Sequence, residues 1–239
     1  MKIIKDKELH EKYCNICIDS PNSLFSSLDE SSKSIIRQTS ICKSYKKGDL
    51  IYEEGNRPFG LICLITGKAK IIKKGISGRD QIVRMAKPVG FIGYRAFFAD
   101  ENHIASAEAL EESIVCIMKT ELVLGIVRSN SYIAMNVIRA LATDLGFSNR
   151  RTVTLTQKHI RGRLAESLLV LKDTYGYEED NQTLKVCLSR EDIANLSNMT
   201  TSNAIRTLSN FASEGILELN GKQIKLLDLD AIERISELG

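Results

Sequence analysis

The residues best suited to chemistry lie in Leu188–Phe211, LSREDIANLSNMTTSNAIRTLSNF. Ser189, followed three residues later by Asp192, is a capping-box-like helix start in which Asp stands for the usual Glu or Gln. Ile193, Ala194 and Leu196 give the short helix one apolar face, and Ser197-Asn198-Met199 makes a turn. The Thr200 hydroxyl can then accept the free backbone N–H groups that open a second helix. That helix turns Ala204, Leu208 and Phe211 inward and leaves Thr201, Ser202, Asn203 and Arg206 outward. A short helix, a turn and a second helix opened by small polar residues match a DNA-binding helix-turn-helix, although an ordinary helical hairpin with a polar outer face has the same pattern. In a major groove Thr201, Ser202 and Asn203 can hydrogen-bond base edges, and Asn can grip adenine with two bonds. Arg206 can reach guanine O6/N7 or a phosphate, whereas Ser189 and Arg190 are placed for phosphate. The next segment, GILELNGKQIKLL, separates the two readings. Asn220-Gly221 between alternating runs signals a two-residue hairpin, a wing whose tip carries Lys222 and Lys225 for backbone phosphate.

The cysteines form a second group. Cys14-Asn-Ile-Cys17 has the CxxC spacing of a metal or redox pair. Cys63, Cys116 and Cys187 instead lie in strand-like apolar runs, where a thiol behaves as a small hydrophobe, and that structural reading is the one expected, with no metal. His10, His103 and His159 fall in no nucleophile elbow, HExxH or P-loop pattern, so no enzyme is expected.

Composition sets the bounds. The 239 residues are 43% hydrophobic and 26% charged, enough apolar chain for real cores and too much for a disordered state. No run approaches the ~18 apolar residues of a membrane span. The opening MKIIKDKELHEKYC has no apolar export region, so the six cysteines read as reduced thiols of a cytoplasmic protein. Net charge is 33 − 30 = +3, too small to argue nucleic-acid binding by itself. Residues 160–239 carry 9 Lys/Arg against 13 Asp/Glu, so DNA would have to meet a region of net charge −4.

The elements that would position these residues follow from periodicity. Leu50–Tyr52, Leu61–Ile65, Lys70–Ile72, Gln81–Met85 and Ser113–Met118 are short strand-like runs separated by Gly48, Gly55, Gly67, Gly78 and Gly90, the pattern of an antiparallel sandwich or roll. From Ser129 to about Leu155 the pattern becomes helical. Ala134, Ile138, Leu141 and Leu145 form a stripe that either packs on its own domain or pairs with a twin helix. A second helix carries Ile160, Leu164, Leu168 and Leu171 and ends at Gly176. The expected fold is α+β: a sensor roll over 1–128, a long helix over 129–158 and a winged helix-turn-helix over 159–239.

On KKGDLIYEEG, LITGKAKI, GFIGYRAFF and ASAEALEESIVCIM, then KHIRGRLAESLLVL and the whole Leu188–Leu226 segment, the chain resembles the catabolite-activator (Crp/Fnr) family of bacterial transcription regulators over nearly its full length. The resemblance implies a cyclic-nucleotide-binding-type β-roll, a dimerisation helix and a C-terminal winged helix. It further implies a homodimer on near-palindromic double-stranded DNA, with recognition helices ~34 Å apart, and RNA polymerase as a partner. Arg206 matches the family's arginine, while Ser202 stands where relatives carry a cytosine-reading Glu, so the half-site should differ there. The effector pocket by resemblance is Gly93, Tyr94, Arg95, His103, Ile104 and Ala105. Family members that bind cyclic AMP have Glu after that Gly and Arg-Ser further on; Tyr94 and Ile104-Ala105 supply no such partners, so a cyclic nucleotide is not expected. The oxygen-sensing branch implies an alternative, an iron–sulfur or redox sensor using Cys14, Cys17 and Cys116. The third N-terminal cysteine is replaced by Ser23, with Cys42 as a substitute fourth ligand.

Overall fold

The computed structural model describes residues 1–21, 23–75 and 78–238. The chain divides into two compact units: residues 1–73 with 84–145, and residues 74–83 with 146–239.

In the first unit, β1 (Lys2–Ile3) leads to α1 (Lys7–Asp19) and α2 (Glu30–Thr39), each started by an Asp side chain that accepts a backbone N–H: Asp6 from Leu9 and Asp29 from Ser32. The roll follows as β2 (Ile41–Tyr45), β3 (Leu50–Tyr52), β4 (Leu61–Thr66), β5 (Ala69–Lys73), β6 (Gln81–Ala86), β7 (Gly90–Ile92), the short α3 (Tyr94–Ala99), β8 (Ser106–Ala109) and β9 (Ser113–Met118). The strands form one sheet in the order β1-β2-β9-β4-β7 and another in the order β3-β8-β5-β6. β4 is buried on both faces. Its Ile62 and Leu64 enter the roll interior with Val115, Ile117 and the alanines of β8, whereas Leu61, Cys63 and Ile65 turn to the helices. That outer face is covered by Ile18, Phe25, Ile36, Val123 and Ile133, each worth roughly 1.5–3 kcal/mol when fully buried. Gly67 is required, because at φ +82° a Cβ would lie 2.6 Å from the Glu112 carbonyl oxygen.

Beyond the roll come α4 (Thr120–Ser129) and α5 (Ser131–Gln157). The apolar stripe of α5 divides in two. Ile133, Val137, Ala140 and Leu141 face the first unit's own core, while Met135, Ile138, Ala142 and Leu145 are exposed. The first face fits the reading in which the stripe packs on its own domain, and the second leaves apolar side chains exposed.

The second unit contains α6 (Ile160–Tyr175), α7 (Arg190–Leu196), α8 (Thr201–Ser213), β10 (Leu217–Asn220), β11 (Gln223–Leu226) and α9 (Leu229–Leu238). Leu164, Leu168, Ile193, Ala204, Leu208, Phe211 and Ile232 are buried in it. Segment 74–83 joins this unit where Gln81 Nε2 donates to the Asn195 carbonyl at 2.6 Å. The N-terminal helices, β1 and α9 have no counterpart in the reading by periodicity. Cys187 departs from that reading: it is exposed and outside any strand. Among the described residues no helix is long and apolar enough to cross a membrane.

Candidate nucleic-acid interface

The helix-turn-helix forms as its caps dictate. Ser189 Oγ accepts from the Asp192 N–H at 3.0 Å while the Asp192 carboxylate accepts from the Ser189 N–H, a complete capping box. Thr200 Oγ1 accepts from the Asn203 N–H at 3.2 Å and starts α8. Between the helices Asn198 takes a left-handed φ of 50°, which Asn tolerates better than most residues, and Met199 is buried as the anchor.

On the outer face of α8, Thr201, Ser202 and Arg206 are exposed and Asn203 is half-buried. Arg206 Nη2 donates to Asn203 Oδ1 at 2.8 Å. The sequence reading missed Ile205, which is 47% exposed between Ser202 and Arg206. An aliphatic side chain there suits a thymine methyl group. The signal was available, since an Ile outside the Ala204–Leu208–Phe211 face has no core to join.

Two candidates are tied into the scaffold. The Ser189 hydroxyl is committed to its cap, also donating to Asp192 Oδ2 at 2.6 Å. Arg190 Nη2 donates to the Gly221 carbonyl at 2.8 Å, which fixes the start of α7 to the wing tip. The tip itself is one residue later than read from sequence: Asn220 pairs with Gln223, and the turn residues are Gly221 at φ +58° and Lys222. Lys222 is exposed there, but Lys225 sits back in β11 opposite Glu218, with Asp180 3.7 Å away. Charge is sorted rather than abundant. Arg161 pairs with Glu214 at 2.6 Å and Lys172 with Asp173 at 3.3 Å, so several of this region's ions neutralise one another.

Arg151 of α5 was also missed. It is buried, and its guanidinium donates to the Leu196 carbonyl at the end of α7. Burial pushes its pKa down to about 10.

Of the six effector-pocket positions, Gly93 and His103 lie against one another, while Tyr94, Ile104 and Ala105 enter different surroundings. Gly93 starts α3 at φ +69°, where a Cβ would meet His103 Cε1 at 2.7 Å. The Tyr94 hydroxyl donates to the Asp144 carboxylate, which also binds Arg84, and burial followed by that carboxylate raises Tyr94 to about 12. Arg95 pairs with Glu101 at 2.9 Å. His103 is buried and stacked on Tyr52 at 4.0 Å, its Nε2 without a partner among the described residues, and burial lowers its pKa. Ile104 is exposed, and Ala105 lines the roll interior. A cyclic phosphate needs free cations and N–H donors; here Arg84 and Arg95 are neutralised and Asp144 would repel it. These residues do not fit a cyclic nucleotide.

Cys14, Cys17 and Cys116 do come together, joined by Cys42 and Cys63, all fully buried. Hydrogen bonds from the Cys116 and Cys42 thiols pull Cys14 down to about 3, whereas burial pushes Cys17 well up. Ser23 spends its hydroxyl oxygen on the Phe25 N–H at 3.1 Å.

Comparison with known proteins agrees with this architecture. The family model "Cyclic nucleotide-binding domain" matches residues 42–130, and "Crp-like helix-turn-helix domain" matches residues 162–235. A CRP-like cAMP-activated global transcriptional regulator of Mycobacterium tuberculosis is 26% identical over 80% of this chain and 85% of its own length. The transcriptional activator protein anr of Pseudomonas aeruginosa is 24% identical over 94% of this chain and 93% of its own. The solved structure of FixK2 from Bradyrhizobium japonicum superposes with a TM-score of 0.75 at 23% identity, covering 82% of this chain and 97% of that one.

Proposed function

The chain belongs to the Crp/Fnr family of transcription regulators, and we propose that it acts as a homodimer reading a near-palindromic DNA site with α8 as its recognition helix. The observation that carries this reading is the exposed first half of α8. Thr201, Ser202 and Arg206 are free of the core, Asn203 is oriented by Arg206, and Lys222 stands on the neighbouring wing. Thr201 to Asn203 read base edges, Arg206 reads a guanine or braces on phosphate, and Thr200 and Ser189 hold the helix starts. Arg190 positions the wing through Gly221.

The partner is a second copy of this chain. Met135, Ile138, Ala142 and Leu145 are exposed at spacings of three, four and three, the seam of a paired coiled coil. Asn149 continues the seam as an exposed polar residue at the position that fixes register in such pairs. Residues 1–128 serve as the sensor domain, 129–158 as the dimerisation helix and 159–239 as the DNA-binding domain. The protein works in the cytoplasm, and bound to DNA it engages RNA polymerase.

Control runs along α5. Asp144 is held by Arg84 and Tyr94, and seven residues on, Arg151 holds the end of α7. A shift of α5 at Asp144 changes the pairing angle of the two copies and hence the separation of their recognition helices. Tyr94→Phe and Asp144→Asn should therefore change DNA affinity without touching α8; unchanged affinity under all growth conditions would contradict the coupling.

Selection of bound sequences from a random DNA pool, with and without air, tests the whole reading. It should enrich two inverted half-sites with centres about 34 Å apart. No enrichment, or a single unpaired half-site, would refute it.

A further inference from the structure

Across β2, β9 and β4, Cys42 stands directly opposite Cys116, and Cys116 directly opposite Cys63. All three turn toward the helical layer, where α1 brings Cys14 and, one turn earlier, His10. Cys14 Sγ lies 3.7 Å from Cys116 Sγ, 3.8 Å from Cys42 Sγ, and 3.9 and 3.7 Å from His10 Nδ1 and Nε2. The donor atoms of His10, Cys14 and Cys42 all lie within 4.8 Å of one another.

A tetrahedral ion with metal–sulfur bonds of about 2.3 Å separates its sulfurs by about 3.8 Å, as simple geometry requires. Cys14 Sγ already stands at that separation from both Cys42 Sγ and Cys116 Sγ. His10 is prepared in the way metal-bound histidines are. Its Nε2 lies 2.9 Å from the Ser40 carbonyl oxygen, and a proton held there leaves the Nδ1 lone pair for the metal. His10 is half-buried, at the rim of an otherwise enclosed group, which gives an ion its route in.

We propose that Cys14, Cys42, Cys116 and His10 form a mononuclear site for a divalent cation of the zinc class, clamping α1 onto the β2–β9 face. An iron–sulfur cluster fits these residues poorly. Its inorganic core would have to stand between sulfurs that are in mutual contact, and Ser23, at the missing-ligand position, is engaged elsewhere. Binding is ligand exchange without electron transfer. The three thiols lose their protons to solvent, the imidazole binds neutral, and the resulting single negative charge lies near Arg37. Cys17 and Cys63 remain thiols beside Cys116. The site stands independently of the DNA-binding reading.

The test uses the full chain, purified without oxygen, stripped with chelator and titrated with Co²⁺ and then Zn²⁺. One Co²⁺ per chain should bind, with thiolate-to-cobalt charge transfer and tetrahedral d–d bands that Zn²⁺ abolishes. X-ray absorption of the zinc form should give three sulfurs and one nitrogen, at about 2.3 and 2.0 Å. Cys42→Ser and His10→Ala should weaken binding at least tenfold, and Cys17→Ala and Cys63→Ala should leave it within twofold. The absorption spectrum of the unaltered chain decides the ligand set even where a variant fails to fold. No stoichiometric Co²⁺, four sulfurs around zinc, iron with acid-labile sulfide in the purified chain, or dependence on Cys17 rather than Cys42 would each overturn the proposal.

Discussion

Arg206 donates to Asn203 at 2.8 Å, across one turn of the exposed face of α8. The bond engages the Asn203 carbonyl oxygen and leaves its amide N–H donors and the remaining guanidinium donors of Arg206 for a base or phosphate. Arg206→Ala should cost about 1–3 kcal/mol of binding to the selected site and relax discrimination at one base pair. Competition among single-base site variants measures it. A loss uniform across all sequences would make Arg206 a phosphate contact. The pair also acts as a unit, so Asn203→Ala and Arg206→Ala should combine non-additively.

The two faces of α5 give an independent prediction. Ile138 and Leu145 are 56% and 63% exposed, whereas Ile133 is fully buried. Ile138→Glu with Leu145→Glu should yield a folded monomer by sedimentation and abolish tight binding to the full site. Persistence of the dimer would place its interface elsewhere.

On the wing, Lys222 stands at the tip and Lys225 is drawn toward Asp180. Lys222→Ala should reduce the slope of log affinity against log salt by about one, with little change in sequence preference. Lys225→Ala should alter the slope less, as titration at several salt concentrations will show.

Glu166 predicts an acid limb of stability. Burial alone would raise its pKa, but hydrogen bonds from Ser236 and Lys158 hold it below the ordinary value. The folded state therefore binds this proton less readily than the unfolded chain. Its contribution is complete above the ordinary carboxylate pKa and fades as pH falls through the lower folded value. Urea titrations should show Glu166→Gln less stable than the parent at neutral pH, with the gap closing in acid. A gap independent of pH would contradict this role.

Much of this was legible in the sequence because it rests on local signals. Ser189, Asp192 and Thr200 cap their own helices, and the alternation around Asn220-Gly221 marks the wing to within one residue. What was hidden depends on side chains from distant segments. Lys225 looked like a tip residue until Asp180 was placed beside it, and Arg190 looked free until Gly221 reached it. Cys42 could be read from sequence only as a substitute fourth ligand, because only strand pairing sets it opposite Cys116. The effector positions sit close together in sequence, but α3 sends Tyr94 to Asp144 while His103 stacks on Tyr52.

Interference by guanine N7 methylation on the selected site measures most directly whether α8 enters the major groove. Methylation of at least one purine in each half-site should block binding, at positions about one helical turn apart, and Arg206→Ala should lose that sensitivity at one of them. Interference confined to minor-groove adenine N3, or none at all, would contradict the account.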